Sequence, residues 1–354
     1  MNPMSSVFML SGYRQIHRNF ASWSQYAEFD RHGSILTERS KPVDGYNLTS
    51  PREWLEYNEG IGRCGAYTVI RCDLSSNKSS WRIWERDFHW ERLADSYRSL
   101  LVDDCEADCK DAIQRTDALL STLLNSCRKT LLADGTTVHI DSCCTCMVTF
   151  LWQTNNELCS VRGHVFTTGV FANPIDYDPK PIPASLARMA TPNRYENKPR
   201  SKLSSWCSIR RPLECRFKGV DDSEVFLTRE VDDGVCEILE GLTSNVFVLC
   251  RDGTLRTPAE GVLEGCARMQ VMHHALSMGY SVNCSPVTLD SVGEWDEVFC
   301  TSSIRLIIPV LKIVDGKNGR TVWQGSTKPT KWRKLYYSIL ADINNTCERR
   351  ELIL

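Results

Sequence analysis

Glu240 stands between the apolar run Cys236–Leu239 and a polar turn holding Gly241, Thr243, Ser244 and Asn245, and a second apolar run follows at once. A carboxylate placed between two strands loses hydration and needs a positive partner. A protonated heteroaromatic nitrogen would be one. Between Thr254 and Arg268 a strand ends in a glycine-bearing loop that runs directly into a helix. The free N–H groups at a helix N-terminus form a ready phosphate site. The strand begun by Glu297 ends in Thr301, Ser302 and Ser303, whose hydroxyls can also donate to phosphate oxygens. A buried acid with two hydroxyl- or amide-rich turns suits a group carrying both a phosphate and a protonated ring nitrogen. Pyridoxal 5′-phosphate fits, and its chemistry also needs a lysine for a Schiff base.

The elements that must hold these residues read as an α+β chain. Ala66–Cys72 alternates like a strand, and W-R-I-W-E-R-D reads as its return. The spacing then turns helical, with Leu93, Tyr97, Leu100 and Leu101 on one face. A second helix is predicted from about Cys105 to Leu132, and further strands from Thr137 to Ile140, from Met147 to Gln153 and around His164. Pro174, Pro179, Pro181, Pro183, Pro192 and Pro199 crowd one stretch, as in an extended connector. The expected organisation is therefore an N-terminal domain over 1–172, a linker over 173–199 and a C-terminal domain over 200–354. The C-terminal domain should open with a helix from about Lys202 to Arg216 and continue mostly as strands. A helix from Cys266 to Met278 should carry Met269, Met272 and Leu276 inward and stop at Gly279.

Bulk properties narrow the function classes. The 354 residues are 42% hydrophobic and 24% charged with net charge −2, a globular composition sufficient for two domains. Near-neutral charge gives no electrostatic reason to expect nucleic acid or an anionic membrane. The apolar run Ile304–Val314 is interrupted by Arg305, Pro309 and Lys312 and is too short to span a bilayer. The N-terminus lacks the charged region of a secretory signal, while Arg14, His17 and Arg18 leave an organelle transit segment open. The 17 cysteines are scattered through a long chain, which favours reduced thiols in the cytoplasm. Cys143, Cys144 and Cys146 would need a second ligand pair, and Cys105 and Cys109, which could be it, look like helix positions one turn apart, so no metal is expected.

Four blocks in order resemble the class IV, or fold-type IV, aminotransferases, the family of branched-chain and D-amino-acid aminotransferases and aminodeoxychorismate lyase. They are G-A-Y-T-V-I-R through F-H-W-E-R-L-A-D-S; E-G-L-T-S-N-V-F; T-P with L-E-G-C-A-R; and D-E-V-F followed by hydroxyl residues and Pro309. Together they span about residues 60–315. The resemblance implies a fold-type IV enzyme with a small N-terminal α/β domain, a larger mostly β C-terminal domain and pyridoxal 5′-phosphate as cofactor. It implies that Arg92 grips the phosphate, with Ser302, Ser303 and the amides of Cys266 and Ala267 as further donors, and that Glu240 pairs with the ring nitrogen. Glu264 departs from the family's usual proline and Ala267 from its common threonine. Among Lys198, Lys202 and Lys218, the run K-L-S-S-W-C-S-I-R-R-P-L-E resembles plant-type members and selects Lys202 for the Schiff base. V-R-G-H-V-F, with Arg162 and His164, resembles the carboxylate-binding loop that D-amino-acid enzymes lend across a homodimer.

The implied activity is transamination between an amino acid and a 2-oxo acid. The same fold supports a lyase of the aminodeoxychorismate type. Glu264 and Ala267 also admit a non-catalytic descendant that binds a ligand or partner.

Overall fold

The computed structural model describes residues 23–29, 34–39, 50–74, 80–101, 109–133, 143–155, 158–171, 179–187, 201–218, 224–231, 234–326, 331–346 and 352–353. The alternating segments of the first half become strands β1 (Trp23–Phe29), β2 (Ile35–Arg39), β3 (Ala66–Leu74), β4 (Ser80–Ile83), β5 (Cys143–Asn155) and β6 (Leu158–Phe171). Three helices accompany them: α1 (Pro51–Gly60), α2 (Arg86–Arg98) and α3 (Lys110–Ala133). Ser50 caps α1 by accepting from the Glu53 amide, and Pro51 occupies its first turn.

The second half supplies β7 (Ile182–Ala187), α4 (Trp206–Phe217), β8 (Glu224–Glu230), β9 (Cys236–Gly241), β10 (Asn245–Cys250) and β11 (Thr254–Arg256). It continues with α5 (Cys266–Ser277), β12 (Ser281–Asn283), β13 (Val287–Thr288), β14 (Trp295–Ser302), β15 (Leu306–Asp315), β16 (Thr321–Gln324) and α6 (Lys331–Thr346). A last short strand, β17, is Leu352–Ile353.

Two sheets result. The first is antiparallel, in the order β17-β4-β3-β5-β6-β1-β2. Its covered face packs Ile70, Cys72, Val148, Phe150 and Val165 against Leu93 of α2 and Leu119, Leu120, Leu123 and Leu124 of α3. The second sheet runs β12-β11-β10-β14-β15-β7-β8-β9-β13 with β16 on β15. A further pairing of Asn245 with Glu240 joins β10 to β9 and closes its inner strands into a ring. The acid singled out in the sequence stands at that closure. The α+β class with two sheet-based halves is as expected.

Three local expectations need correction. The residues at 201–204 are extended, not helical: Leu203 bridges Ala66, and α4 starts only at Trp206. Part of the proline-rich connector is a strand, β7, lying parallel to both β15 and β8. Its alternation at Ile182, Ala184 and Leu186 is hidden among prolines. Helix α5 is turned from the expected face: Met269 and Leu276 are exposed and Met272 packs partly buried as expected, while Cys266, Ala267, Val271 and Ala275 are buried. Small side chains let the helix sit close to its neighbours, and larger apolar ones are left outside. The short strand expected at Thr137–Ile140 lies outside the described residues. Among the described residues no helix is long and apolar enough to cross a membrane.

Candidate active site

The block H-x-x-R-L-x-x-S places three polar side chains on one stripe of α2, because residues three and four apart share a helix face. His89, Arg92 and Ser96 are all buried. Ser96 Oγ donates to the Arg92 carbonyl at 2.7 Å and accepts the Lys202 amide at 2.9 Å. The motif serine therefore ties the helix that carries Arg92 to the lysine selected from the sequence. The Lys202 carbonyl accepts the Tyr67 amide at 2.9 Å, so the lysine backbone is stitched to the edge of β3. Its Nζ stands 4.8 Å from the centre of the Tyr67 ring.

Arg92 reaches across to the second half of the chain. Its Nη1 donates to the Glu264 carbonyl at 3.3 Å, and Nη2 to Thr68 Oγ1 at 3.1 Å and His89 Nδ1 at 3.3 Å. The guanidinium lies over Phe88 at 5.1 Å. Burial pulls its pKa down, yet an arginine remains charged. Every group it touches is neutral, and its Nε is buried without a partner among the described residues. A buried charge lacking a counter-charge is costly. The arrangement asks for an anion.

The Glu264 carbonyl belongs to the loop that opens α5, whose N-cap is Gly265 and whose first residues, Cys266 and Ala267, are buried. A Cβ on Gly265 would stand 2.2 Å from Asn245 Oδ1, so only glycine lets this loop close over Asn245. Asn245 in turn donates through Nδ2 to Glu240 Oε2 at 3.1 Å and to the Leu263 carbonyl at 2.7 Å. The Leu263 amide also donates to Glu240 Oε2, at 2.9 Å. The blocks E-G-x-x-S-N and L-x-G-x-x-R are thus one interlocked unit that fixes the Glu240 carboxylate. Burial raises the Cys266 thiol far above its ordinary value despite nearby Arg92, so this cysteine is a packed apolar group. Glu264 supplies its carbonyl to Arg92, a contact the family's usual proline could also make, and the residue is exposed.

After β14, Ser302 Oγ accepts the Arg305 amide at 3.2 Å and the Ser303 hydroxyl is half-buried. Arg71 Nη1 donates to the Ile304 carbonyl at 3.3 Å, holding this turn from the first sheet, and is itself held by Asp73 at 2.9 Å. Arg305 pairs with Glu224 at 3.3 Å, whose carboxylate also takes the Ser244 hydroxyl at 2.9 Å. Leu306, with φ 57°, carries the left-handed backbone that ends the turn. Phe299, Leu306, Cys266 and Ala267 share one apolar cluster against which Phe88 packs, so the turn, the start of α5 and the Arg92 helix meet.

Arg162 and His164 stand apart, within strand β6 and not on a loop. Arg162 pairs with Glu28 at 3.0 Å, and His164 is fully buried and stacked on Trp54 at 5.3 Å. Trp54 packs with Tyr67, so His164 reaches the lysine only at two removes. Sequence reasoning missed Thr68, Tyr67 and Arg71, whose roles depend on contacts far along the chain. His89 and Ser96 lie inside their motif, but its spacing assigns them no task.

Comparisons with known proteins bear on sequence similarity and on the fold. The family model "Amino-transferase class IV" matches residues 208–313. Over that segment the chain is similar to the class IV aminotransferases. The chain is 41% identical over 73 residues to branched-chain-amino-acid aminotransferase 2, chloroplastic, of Arabidopsis thaliana, covering 20% of this chain and 19% of that protein. It is 32% identical over 100 residues to the D-alanine aminotransferase of Bacillus licheniformis, covering 28% of this chain and 33% of that one. The chain thus matches a third or less of these relatives' length. The fold agreement is broader. The branched-chain aminotransferase of the archaeon Thermoproteus uzoniensis, solved with norvaline, aligns over 91% of this chain and 95% of its own, with TM-score 0.58 and 17% identity. A "hypothetical aminotransferase" from Mycobacterium tuberculosis in its PLP-bound form aligns over 90% of this chain and 98% of its own, with TM-score 0.57 and 14% identity. This is a class IV aminotransferase fold.

One consequence of the class IV helix stripe is a pH response. Burial, helped by Arg92 and Lys202, pulls the His89 imidazole well below its ordinary 6.5. As the pH falls through that value, the unfolded chain takes up a proton that the folded chain refuses, so stability should decline on the acid side. The thermal midpoint followed from about pH 7 to about pH 5 should show a shallower slope in His89→Gln than in the wild type.

Proposed function

We propose that this protein is a pyridoxal-phosphate-dependent aminotransferase exchanging an amino group between an amino acid and a 2-oxo acid. The observation that carries the reading is the buried Arg92 cation, which has no carboxylate partner among the described residues and bonds the loop at the start of α5. A phosphate there meets a guanidinium and backbone amides at once. Residues able to hold pyridoxal phosphate are present: Arg92, the amides of Cys266 and Ala267, and the hydroxyls of Ser302 and Ser303 for the phosphate, with Glu240 for the ring nitrogen. The missing hydroxyl at Ala267 removes one donor, worth about 1 kcal/mol.

Bound pyridoxal phosphate supplies an aldehyde and a ring that accepts electrons when its nitrogen is protonated. Glu240 keeps that proton in place, its carboxylate aimed by Asn245 and the Leu263 amide. Lys202 would tether the bound group through its amine and, once freed by an incoming substrate amine, would serve as the base and acid that take the proton from the substrate carbon and return it. Tyr67 and Ser96 fix where that amine starts from. Assembly as a homodimer, on the strength of the family resemblance, and residence in the cytoplasm, on the strength of the scattered cysteines, complete the reading.

The test is reduction of the reconstituted protein with borohydride followed by peptide mapping. The label is expected on Lys202, and label on Lys198 or Lys218, or none, would refute the assignment. Incubating the same protein with an amino acid and a 2-oxo acid distinguishes amino exchange from a lyase, which would release pyruvate from an aminodeoxychorismate-like substrate.

A further inference from the structure

The His89 imidazole is fully buried, and its ring nitrogens have unequal surroundings. Nδ1 is 2.7 Å from Thr68 Oγ1 and 3.3 Å from Arg92 Nη2, which also donates to Thr68 Oγ1 at 3.1 Å. Arginine has donors only. A proton on Nδ1 would point into an arginine N–H, so Nδ1 accepts and Thr68 donates to it. The donors then run in one direction, from guanidinium to hydroxyl to imidazole, each bond polarising the next. Burial beside Arg92 and Lys202 keeps the ring neutral, so its single proton is on Nε2.

That Nε2 is buried without a hydrogen-bond partner among the described residues, as is Arg92 Nε one helical turn away. Among the described residues, Thr68 of β3, Phe88 and Arg92 of α2, and Lys202 beyond stand near the ring. None can accept from it as the cations stand. Two buried donors without acceptors, side by side on one face, are expensive unless a bound group supplies oxygens.

We infer that His89 donates its Nε2–H to the phosphate of the bound cofactor, as a neutral second reader of that group beside Arg92. The inference rests on the proposed cofactor reading and adds a residue to it. A neutral donor suits the place. It answers the phosphate without setting a further positive charge against Arg92 and Lys202.

The experiment compares the affinity of the ligand-free full chain for pyridoxal 5′-phosphate and for pyridoxal, which lacks the phosphate. His89→Leu should weaken binding of the phosphate ester about tenfold and leave pyridoxal within about twofold. His89→Gln, whose amide N–H approximates Nε2, should recover most of the loss. Equal weakening of both ligands, or none, would overturn the inference while wild-type binding kept the cofactor reading intact. Failure of the wild type to bind either ligand would end both. Nitrogen-15 NMR of histidine-labelled wild type needs no variant to fold. It should show the proton of His89 on Nε2 and a shift of that resonance with pyridoxal 5′-phosphate; a proton on Nδ1 would overturn the inference.

Discussion

Lys202→Ala should lose amino exchange by about 10⁴-fold or more, since one amine serves as both nucleophile and proton carrier. The fold should survive the change. Lys202 holds its place through its backbone, whose amide donates to Ser96 Oγ and whose carbonyl accepts the Tyr67 amide, and alanine keeps both. What disappears is the ammonium over the Tyr67 ring, a contact worth about 0.5–1 kcal/mol where partly exposed. The variant should also lose the visible absorbance of lysine-bound cofactor while still retaining the phosphate ester noncovalently. Exchange persisting in Lys202→Ala at more than about a hundredth of the wild-type rate would show that another amine carries the chemistry.

Arg92→Gln should have opposite effects on binding and on stability. Hydrogen bonds to a charged group contribute about 1.5–3 kcal/mol each, so losing the guanidinium should weaken pyridoxal 5′-phosphate about 100-fold. The ligand-free protein should meanwhile keep or raise its melting temperature, because a buried cation with only neutral neighbours is removed. Glutamine can still donate to the Glu264 carbonyl or to Thr68. Calorimetry with and without the ligand measures both quantities. A variant that is plainly less stable and binds undiminished would mean that Arg92 is a structural strut.

Much of the candidate site is legible in the sequence because Glu240 and the proposed phosphate donors lie inside short blocks. Glu240 and Asn245 are five residues apart and meet directly across the β9–β10 turn. Gly265 follows within the next block for a steric reason that the sequence alone cannot express, the closeness of the Asn245 carboxamide. The Thr68 contact to Arg92 and the Ser96 contact to Lys202 span 24 and 106 residues, and no local spacing announces them. Helix α5 shows the limit of periodicity. Its Met269–Met272–Leu276 stripe and its Ala267–Val271–Ala275 stripe fit the helical repeat equally well. The side that packs is chosen by how closely α6 and the sheet approach, not by which residues are larger. Strand β7 escaped for the converse reason. Proline at 181 and 183 suggests a connector, yet the residues between and after them still alternate into the core.

The stretch that bears Lys202, the proposed Schiff-base lysine, belongs to neither half alone. On one side Ser204 donates its amide to the Gly65 carbonyl at 2.8 Å, and on the other the Trp206 indole donates to the Leu242 carbonyl at 2.8 Å. It works like a rivet through two plates. Sliding one plate by less than a bond length would move the amine relative to both the acid and the guanidinium. Selection on substrate preference therefore has a handle far from the reacting atoms, in whatever sets the seating of one sheet upon the other.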